Sequence, residues 1–301
     1  MAFQAIYNPF STRPRAQMLK DGQLIGFHAT LRDNFSIGTW LLFGAAIQAI
    51  LFNVLPYRNI VLVLPIFLIL GFKLLKTTLE TVGILPNPYM KGVTIGRTVP
   101  VFPDEKGVQN TPAGDSLCVI MLAVRSNHPL GMLAPGYKEI GDRFAAMVKQ
   151  LDATASTSGF LGASSWNSTH DRITSSETMS IIYFKNDHYL HEFSHGPLHT
   201  EAMQWWRDLG EKNRHLGIMH EVYSCPKNSW EGIYDNYHPT GLGATTKQAT
   251  VNGQQVWVNP LVRGKGKLVY SKGRMGRTIA NNEWDAFEQR LDAEEKAEIR
   301  S

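Results

Sequence analysis

Two long apolar blocks interrupt a chain that is otherwise mixed in polarity. Between Asp33 and Lys73 the only charged residue is Arg58. The turn Pro56-Tyr57-Arg58-Asn59 divides this stretch into one block from Ile37 to Leu55 and a second from Asn59 to about Val82. A helix rises about 1.5 Å per residue, so each block crosses, or nearly crosses, a hydrocarbon layer of about 30 Å. The pattern therefore predicts a helical hairpin over residues 36–82. Pro65 lacks a backbone donor and is expected to kink the second arm, which leaves two geometries for it, transmembrane or re-entrant. The alternative is a hairpin buried in a soluble core. A removable leader is not expected, because the apolar run begins about 35 residues in and no small-residue cleavage site follows it.

Beyond the hairpin, residues 83–115 hold five prolines and five glycines and read as an extended linker. Ser116 to Arg125 is a β-branched and apolar run, the signature of a buried strand. Tyr137 to Leu151 places Ile140, Phe144, Met147, Val148 and Leu151 at helical spacing. Gly159 to Asn167 and Thr178 to Phe184 read as a strand pair joined across the polar segment STHDRITSSE. A helix is expected from Asp187, as N-cap, to about Leu209, broken at Gly196-Pro197. Ile218 to Ser224 is the next strand, followed by one at Trp230 to Asn236 and the loop HPTGLG. The order βαββαβ predicts a ferredoxin-like α+β domain with both helices on one sheet face.

This gives five segments: an N-terminal cytosolic segment 1–35, the membrane hairpin 36–82, the linker 83–115, the α+β catalytic domain 116–250 and a basic, then acidic, extension 251–301. Charge decides the orientation. Arg13, Arg15, Lys20 and Arg32 precede the hairpin and Lys73, Lys76, Lys91 and Arg97 follow it, against Arg58 alone in the turn. The positive-inside rule then puts both ends in the cytosol. Overall composition conceals all of this, with 19% charged residues and a mean hydropathy of −0.18. Only Cys118 and Cys225 are present, too few for a disulfide framework and suited to a reducing compartment. The basic run Arg263, Lys265, Lys267, Lys272, Arg274 and Arg277 fits either contact with anionic lipid headgroups or a solvated loop. It lacks the interleaved aromatics of a nucleic-acid surface, so no nucleic-acid partner is expected.

Chemistry concentrates in the histidines. His188, His191, His195 and His199 recur at steps of three, four and four, and seven of the ten histidines fall between residues 188 and 238. An unbroken helix would place the four on one stripe. His195, His199 and His220 are the candidates to line a pocket, whereas His188 and His191 are expected at the surface. No metal ligand is assigned, since His220 and Glu221 are neighbours on a strand and point to opposite faces. A neutral imidazole with an ordinary pKa of about 6.5 can take a proton from an activated C–H or O–H. Trp166, Trp205, Trp206, Tyr223 and Tyr234 are candidate walls that exclude water. The bland alternative is that the histidines are solvated and the aromatics are core.

The segments SIIYFKNDHYLHEFSHGPLHTEAMQWWRDLG, GIMHEVYSCPKNSWEGIYDNYHPTGLG and LCVIMLAV resemble the monooxygenase-like family of dimeric α+β barrel proteins that includes a fumagillin-pathway monooxygenase. The resemblance covers about residues 110–250. It implies a barrel formed by two copies of the chain, hence a homodimer. The matching positions are His195 and His199, Trp205 and Trp206, His220, Glu221 and Tyr223, and Tyr234 with Pro239 to Gly243; the resemblance brings no individual roles. Antibiotic-biosynthesis monooxygenases of the same superfold oxygenate carbanion-forming substrates without a cofactor, while chlorite dismutases and aldoxime dehydratases bind haem, so the cofactor stays open between none and haem or iron. The expectation is a membrane-anchored monooxygenase, facing the cytosol from the endoplasmic reticulum, whose catalytic residues are His195, His199, His220, Glu221 and Tyr234. Trp166, Trp205, Trp206 and Tyr223 would contact a hydrophobic secondary metabolite, a terpenoid or polyketide. The alternatives are a haem-dependent dehydratase-like enzyme and a non-catalytic membrane-bound binding protein.

Overall fold

The structure is a computed structural model that describes residues 2–20, 23–24, 27–169, 177–210, 213–277 and 290. The chain opens with a two-residue ribbon, β1 (Leu19–Lys20) and β2 (Gln23–Leu24), and a short helix α1 (Phe27–Asp33). Next come the two apolar blocks, as helix α2 (Ile37–Val54) and a second arm that opens with a π-helical turn at Asn59–Val63 and continues as α3 (Leu64–Thr81). Ser36 starts α2 by accepting a hydrogen bond from the Thr39 amide at 3.2 Å. The irregularity expected at Pro65 is present as a change of helix type: Pro65 falls in the first turn of α3, directly after the π-helical turn. Neither α2 nor α3 has a buried residue. Both arms are long and apolar enough to cross a membrane.

The sheet that positions the site has the order β5-β6-β4-β7. Its centre is β4 (Leu117–Ser126), flanked by β6 (Glu177–Phe184) and β7 (Leu216–Cys225), with β5 (Phe160–Asn167) at one edge and β7 at the other, all antiparallel. Helix α4 (Tyr137–Ala153) joins β4 to β5, and α5 (Asp187–Ser194) and α6 (Pro197–Asp208) join β6 to β7. This is the ferredoxin-like plan. Both crossings pack on one face, where Cys118, Val148, Leu151, Phe160, Ile182, Phe184 and Leu190 form the largest buried cluster. Full burial of one such apolar side chain contributes about 1.5–3 kcal/mol. On the opposite face Leu161, Trp230 and Leu242 form a smaller cluster with Phe102 and Leu117.

The helix break expected between β6 and β7 is present. Gly196 is extended, and Pro197 opens α6 as its first-turn residue. The start of α5 differs from expectation: Asn186 is the N-cap, accepting from the Tyr189 amide at 3.3 Å, and Asp187 is the first helical residue. Trp230 lies in a loop and donates its indole N–H to the Asp115 carbonyl at 2.9 Å, so the later strand is β8 (Tyr234–Tyr237).

The flanking segments are more structured than their composition implied. The proline- and glycine-rich stretch read as a linker supplies β3 (Thr94–Pro100), the middle strand of a second sheet ordered β11-β3-β8. The C-terminal region gives β9 (Lys247–Val251), β10 (Gln254–Val258) and β11 (Leu261–Arg263). Asn252 and Gly253 both have positive φ between β9 and β10, which matches the Asn-Gly turn preferred in two-residue hairpins. Residues near the N-terminus bridge to these strands, Ala5 to Val262 and Phe10 to Trp257, and the Arg13 guanidinium is paired with Asp152 of α4. The segment STHDRITSSE falls largely outside the described residues, as does most of the acidic tail.

One contact roots the hairpin on the catalytic-type domain. Asn34, just before α2, is buried; its Oδ1 accepts from the Met132 amide at 2.7 Å and its Nδ2 donates to the Leu130 carbonyl at 3.2 Å. Both partners belong to the connection from β4 to α4. Gly131 in that connection has φ +57°, and a Cβ there would sit 2.1 Å from Asn34 Oδ1. Only glycine permits this clasp.

Candidate active site

A cavity of about 890 Å³ lies between the helices and the helix-covered sheet face. Its floor alternates along the strands as period-two geometry requires: Ile120 and Leu122 from β4, Ile182 and Phe184 from β6, and Ile218, His220 and Val222 from β7. Phe144, Met147, Val148 and Leu151 of α4 form one wall, and α5 and α6 form the other. The cavity opens along β7, which is the sheet edge; Ile218 is 42% and Val222 46% exposed.

Histidines from two elements meet this space. His199, in the first turn of α6, lines the cavity with its ring edge-on to Phe193. Its Nδ1 is buried with no hydrogen-bond partner among the described residues. A proton on Nδ1 would be a buried N–H with nothing to accept it, at a cost of about 1–3 kcal/mol. An unprotonated Nδ1 is likewise a buried acceptor with no donor, so Nε2 is the ring atom through which His199 can bond a molecule in the cavity. His220 stands on the exposed edge strand directly opposite Leu122 and reaches the same cavity. Among the described residues no three His, Cys, Asp or Glu side chains form a group able to hold a metal ion.

The sequence-derived residues separate into two sets. His199, His220 and Trp206 line the cavity. Trp205 turns toward α4, where the Arg143 guanidinium stacks 4.8 Å from its ring and also pairs with Glu201 at 3.0 Å; it braces the wall without lining it. His195 is the C-cap of α5, exposed, with its Nδ1 2.8 Å from the His191 carbonyl and its ring 4.3 Å from that of His191. Glu221 and Tyr223 project from the opposite sheet face, where the Tyr223 hydroxyl donates to the Glu221 carboxylate and that carboxylate raises the tyrosine's pKa. Trp166 donates to Ser164 Oγ at 3.3 Å, outside the cavity.

Tyr234 also stays outside the cavity. Its hydroxyl accepts from the Gly243 amide at 2.9 Å, and burial raises its pKa although that hydrogen bond works the other way. Tyr183 beside it is pushed up to about 12 by burial, with Tyr234 adding to the shift. These two phenols organise the Pro239 to Gly243 loop on the far face of the sheet.

His188 and His191, expected at the surface, are exposed and also border the cavity, together with Asp187 and Ser194. The apolar wall residues Phe144, Met147 and Met203 were not singled out. The signal for the α4 pair was present in the helical spacing; that for Met203 depended on where α6 restarts after Gly196.

A family model described as monooxygenase af470-like matches residues 117–242. The monooxygenase af470 of Aspergillus fumigatus is 31% identical over 269 residues, covering 88% of this chain and 94% of the relative. The chain belongs to the monooxygenase af470-like family. It is accordingly an oxidoreductase of the monooxygenase class, and its similarity to af470 extends beyond the catalytic-type domain through the flanking segments. Two solved structures also match. The cofactor-independent oxygenase SnoaB of Streptomyces nogalater aligns over 35% of this chain and 90% of its own, at 15% identity and a TM-score of 0.25. The aldoxime dehydratase OxdRE, in complex with butyraldoxime, aligns over 50% of this chain and 42% of its own, at 14% identity and a TM-score of 0.33.

Proposed function

We propose that this protein is a membrane-anchored monooxygenase that oxygenates a hydrophobic secondary metabolite, a terpenoid or polyketide, in the large cavity between α4, α5, α6 and the sheet. The observation that carries this reading is the pairing of an open histidine, His220, with a histidine whose Nδ1 is buried and unpartnered, His199, in one mainly apolar space. His220 takes a proton from an activated methylene of the substrate. The His199 Nε2–H donates to the oxygen that gains charge as the carbanion forms, in a setting where few waters compete. The carbanion then reacts with dioxygen to a hydroperoxide, and loss of water leaves a carbonyl. The balance is one CH2 and one O2 giving one C=O and one H2O, so the substrate supplies all the electrons.

The apolar hairpin and the flanking basic residues support attachment to a membrane with the domain on the cytosolic side, and the endoplasmic reticulum is the membrane proposed. A lipid-phase substrate then needs no passage through water. The β7 side of the outer sheet face, where Met219 and Tyr223 are more than two-fifths exposed, supports a homodimer. Glu221, Tyr223 and Tyr234 are assigned to that side of the domain rather than to proton transfer.

The test uses anthrone, an apolar ketone with an acidic methylene, and detergent-purified full-length protein. Expected are dioxygen uptake and anthraquinone formation above the uncatalysed rate, with one labelled oxygen atom from isotopic dioxygen in the product, and loss of this activity in His220→Ala. Uptake equal to buffer, or unchanged in His220→Ala, overturns the assignment. A Soret band in the purified protein overturns the direct reaction with dioxygen.

A further inference from the structure

We infer that the cavity accepts an amphiphile in one direction only, with a long apolar body toward the root of the hairpin and a neutral hydrogen-bonding end group toward Asp187, His188 and His191. This rests on the reading of the cavity as the substrate site and adds the class and orientation of the substrate.

The strand register fixes the two ends of the cavity. Ser126 ends β4 and pairs with Leu216 at the start of β7, and the connection that follows Ser126 is the one clasped by Asn34 at the base of α2. Ile218, opposite Val124, is therefore at the root end, His220 is central, and Val222, opposite Ile120, is toward the far end. Ile218 and Val222 are separated by four strand residues, about 13 Å, a span that fits an extended chain of about a dozen carbons. Helices follow the same axis. α5 begins just after Phe184, whose partner Cys118 lies in the first residues of β4, and α6 ends just before β7.

Polarity is distributed unequally between those ends. α5 presents Asp187, His188, His191 and Ser194 beside the apolar Leu190 and Phe193, whereas α6 beyond His199 presents Ala202, Met203 and Trp206, with Ile218 on the strand at that end. The Trp206 indole N–H is the one polar side-chain atom among these last four. Burying a hydroxyl or ketone without a partner costs about 1–3 kcal/mol on protein scales, so a polar terminus placed among Met203, Trp206 and Ile218 is disfavoured. The end group is also selected by charge. Asp187 and Glu192, the latter 3.3 Å from His188 Nε2, give the α5 end acidic character, which disfavours a carboxylate or phosphate and leaves an alcohol or carbonyl as the fitting terminus.

Head-first entry from the hairpin side then carries the end group past His199 and His220 to the α5 histidines and leaves the middle of the body beside that pair. Met203 and Trp206 set the length of body accepted beyond the reacting carbon.

The experiment reads occupancy without turnover, so it is independent of whether the bound molecule is oxygenated. Full-length protein in lipid nanodiscs is titrated with dodecanol brominated either at the terminal carbon or at the carbon beside the hydroxyl, and bromine quenching of tryptophan is compared between wild type and Trp206→Phe. The expected result is that the Trp206-dependent part of the quenching arises with the terminal bromide. Competition supplies a second readout that uses unmodified protein: dodecanol is expected to displace the probe about tenfold more strongly than dodecanoate, the equivalent of about 1.4 kcal/mol. In His188→Ala/His191→Ala the two bromides are expected to quench alike. Equal quenching in wild type, stronger quenching by the bromide beside the hydroxyl, stronger binding of dodecanoate, or no saturable binding of either bromide overturns the inference. Anthrone oxidation in a protein that fails these tests would leave the monooxygenase reading standing, and oriented binding without oxidation would do the reverse.

Discussion

The ring of His199 meets that of Phe193 edge-on, with centroids 5.7 Å apart and planes at 62°, while His199 Nδ1 is buried without a partner. A structural histidine in such a place is a poor choice, since a phenyl ring would pack there with no polar atom to bury. His199→Phe is therefore expected to keep or raise the melting temperature and to lower kcat by roughly 10²–10³-fold, the usual cost of one lost oxyanion donor. Thermal unfolding and kcat measured on the same preparation check this. Loss of both stability and activity would assign His199 to packing.

His220 is exposed on an edge strand and belongs to none of the buried clusters, so its replacement separates chemistry from folding. In His220→Ala, kcat is expected to fall roughly 10²–10⁴-fold, the range for a lost general base, with the melting temperature unchanged. Steady-state rates across pH, together with circular dichroism melts, decide it.

Cys118 is fully buried beneath α5, and its thiol is pushed up to about 11 by burial, with the Asp187 carboxylate adding to the shift. The unfolded thiol titrates near its ordinary value of about 8.5. Between these values the unfolded chain has lost the proton and the native one has kept it, so the contribution is complete below about pH 8.5 and lost as pH rises toward the folded value. Stability is expected to decline over that alkaline window, and Cys118→Ala to flatten the decline. Denaturant melts at stepped alkaline pH measure both. Iodoacetamide at neutral pH is expected to modify the partly exposed Cys225 and to spare Cys118.

Arg13 and Asp152 form an ion pair in which the side chains are 9% and 13% exposed, and Asp152 also accepts from the Ala16 amide at 3.0 Å. Burial lowers the Arg13 pKa and the neighbouring carboxylate opposes that shift. Removing the cation alone strands a largely buried carboxylate, so Arg13→Ala is expected to cost about 3–5 kcal/mol. The double change Arg13→Met/Asp152→Leu should recover much of the loss. Equilibrium unfolding of the two variants is the check; a negligible loss in Arg13→Ala would show that the N-terminal segment is not part of the folding unit.

Deleting residues 36–82 is expected to move the protein from an alkaline-carbonate-resistant pellet to the supernatant, whereas Arg58→Glu alone leaves it in the pellet. Fractionation followed by immunoblotting reads both. A full-length protein extracted by carbonate would overturn the anchored reading.

The sequence alone determined the elements whose signals are local. The apolar blocks, the alternation of β4 and β6, the helical spacing of α4 and the break at Gly196-Pro197 each follow from side chains within a few residues of one another, and the order of those elements leaves few ways to close a sheet. Non-local pairing was beyond that kind of signal. β3 sits in a proline- and glycine-rich stretch and becomes a strand because β8 and β11 satisfy its backbone from either side; the Asn34 clasp depends on a loop almost a hundred residues away. The candidate site divides in the same way. Clustering along the chain marked His199, His220 and Trp206, but only the tertiary structure turned His195 outward, brought His188 and His191 to the cavity and sent Glu221, Tyr223 and Tyr234 to the other side of the sheet. The physical reason is that a strand shows successive residues to opposite faces and a broken helix restarts its stripe, so nearness in sequence fixes neither face nor rotation until the sheet and helices pack.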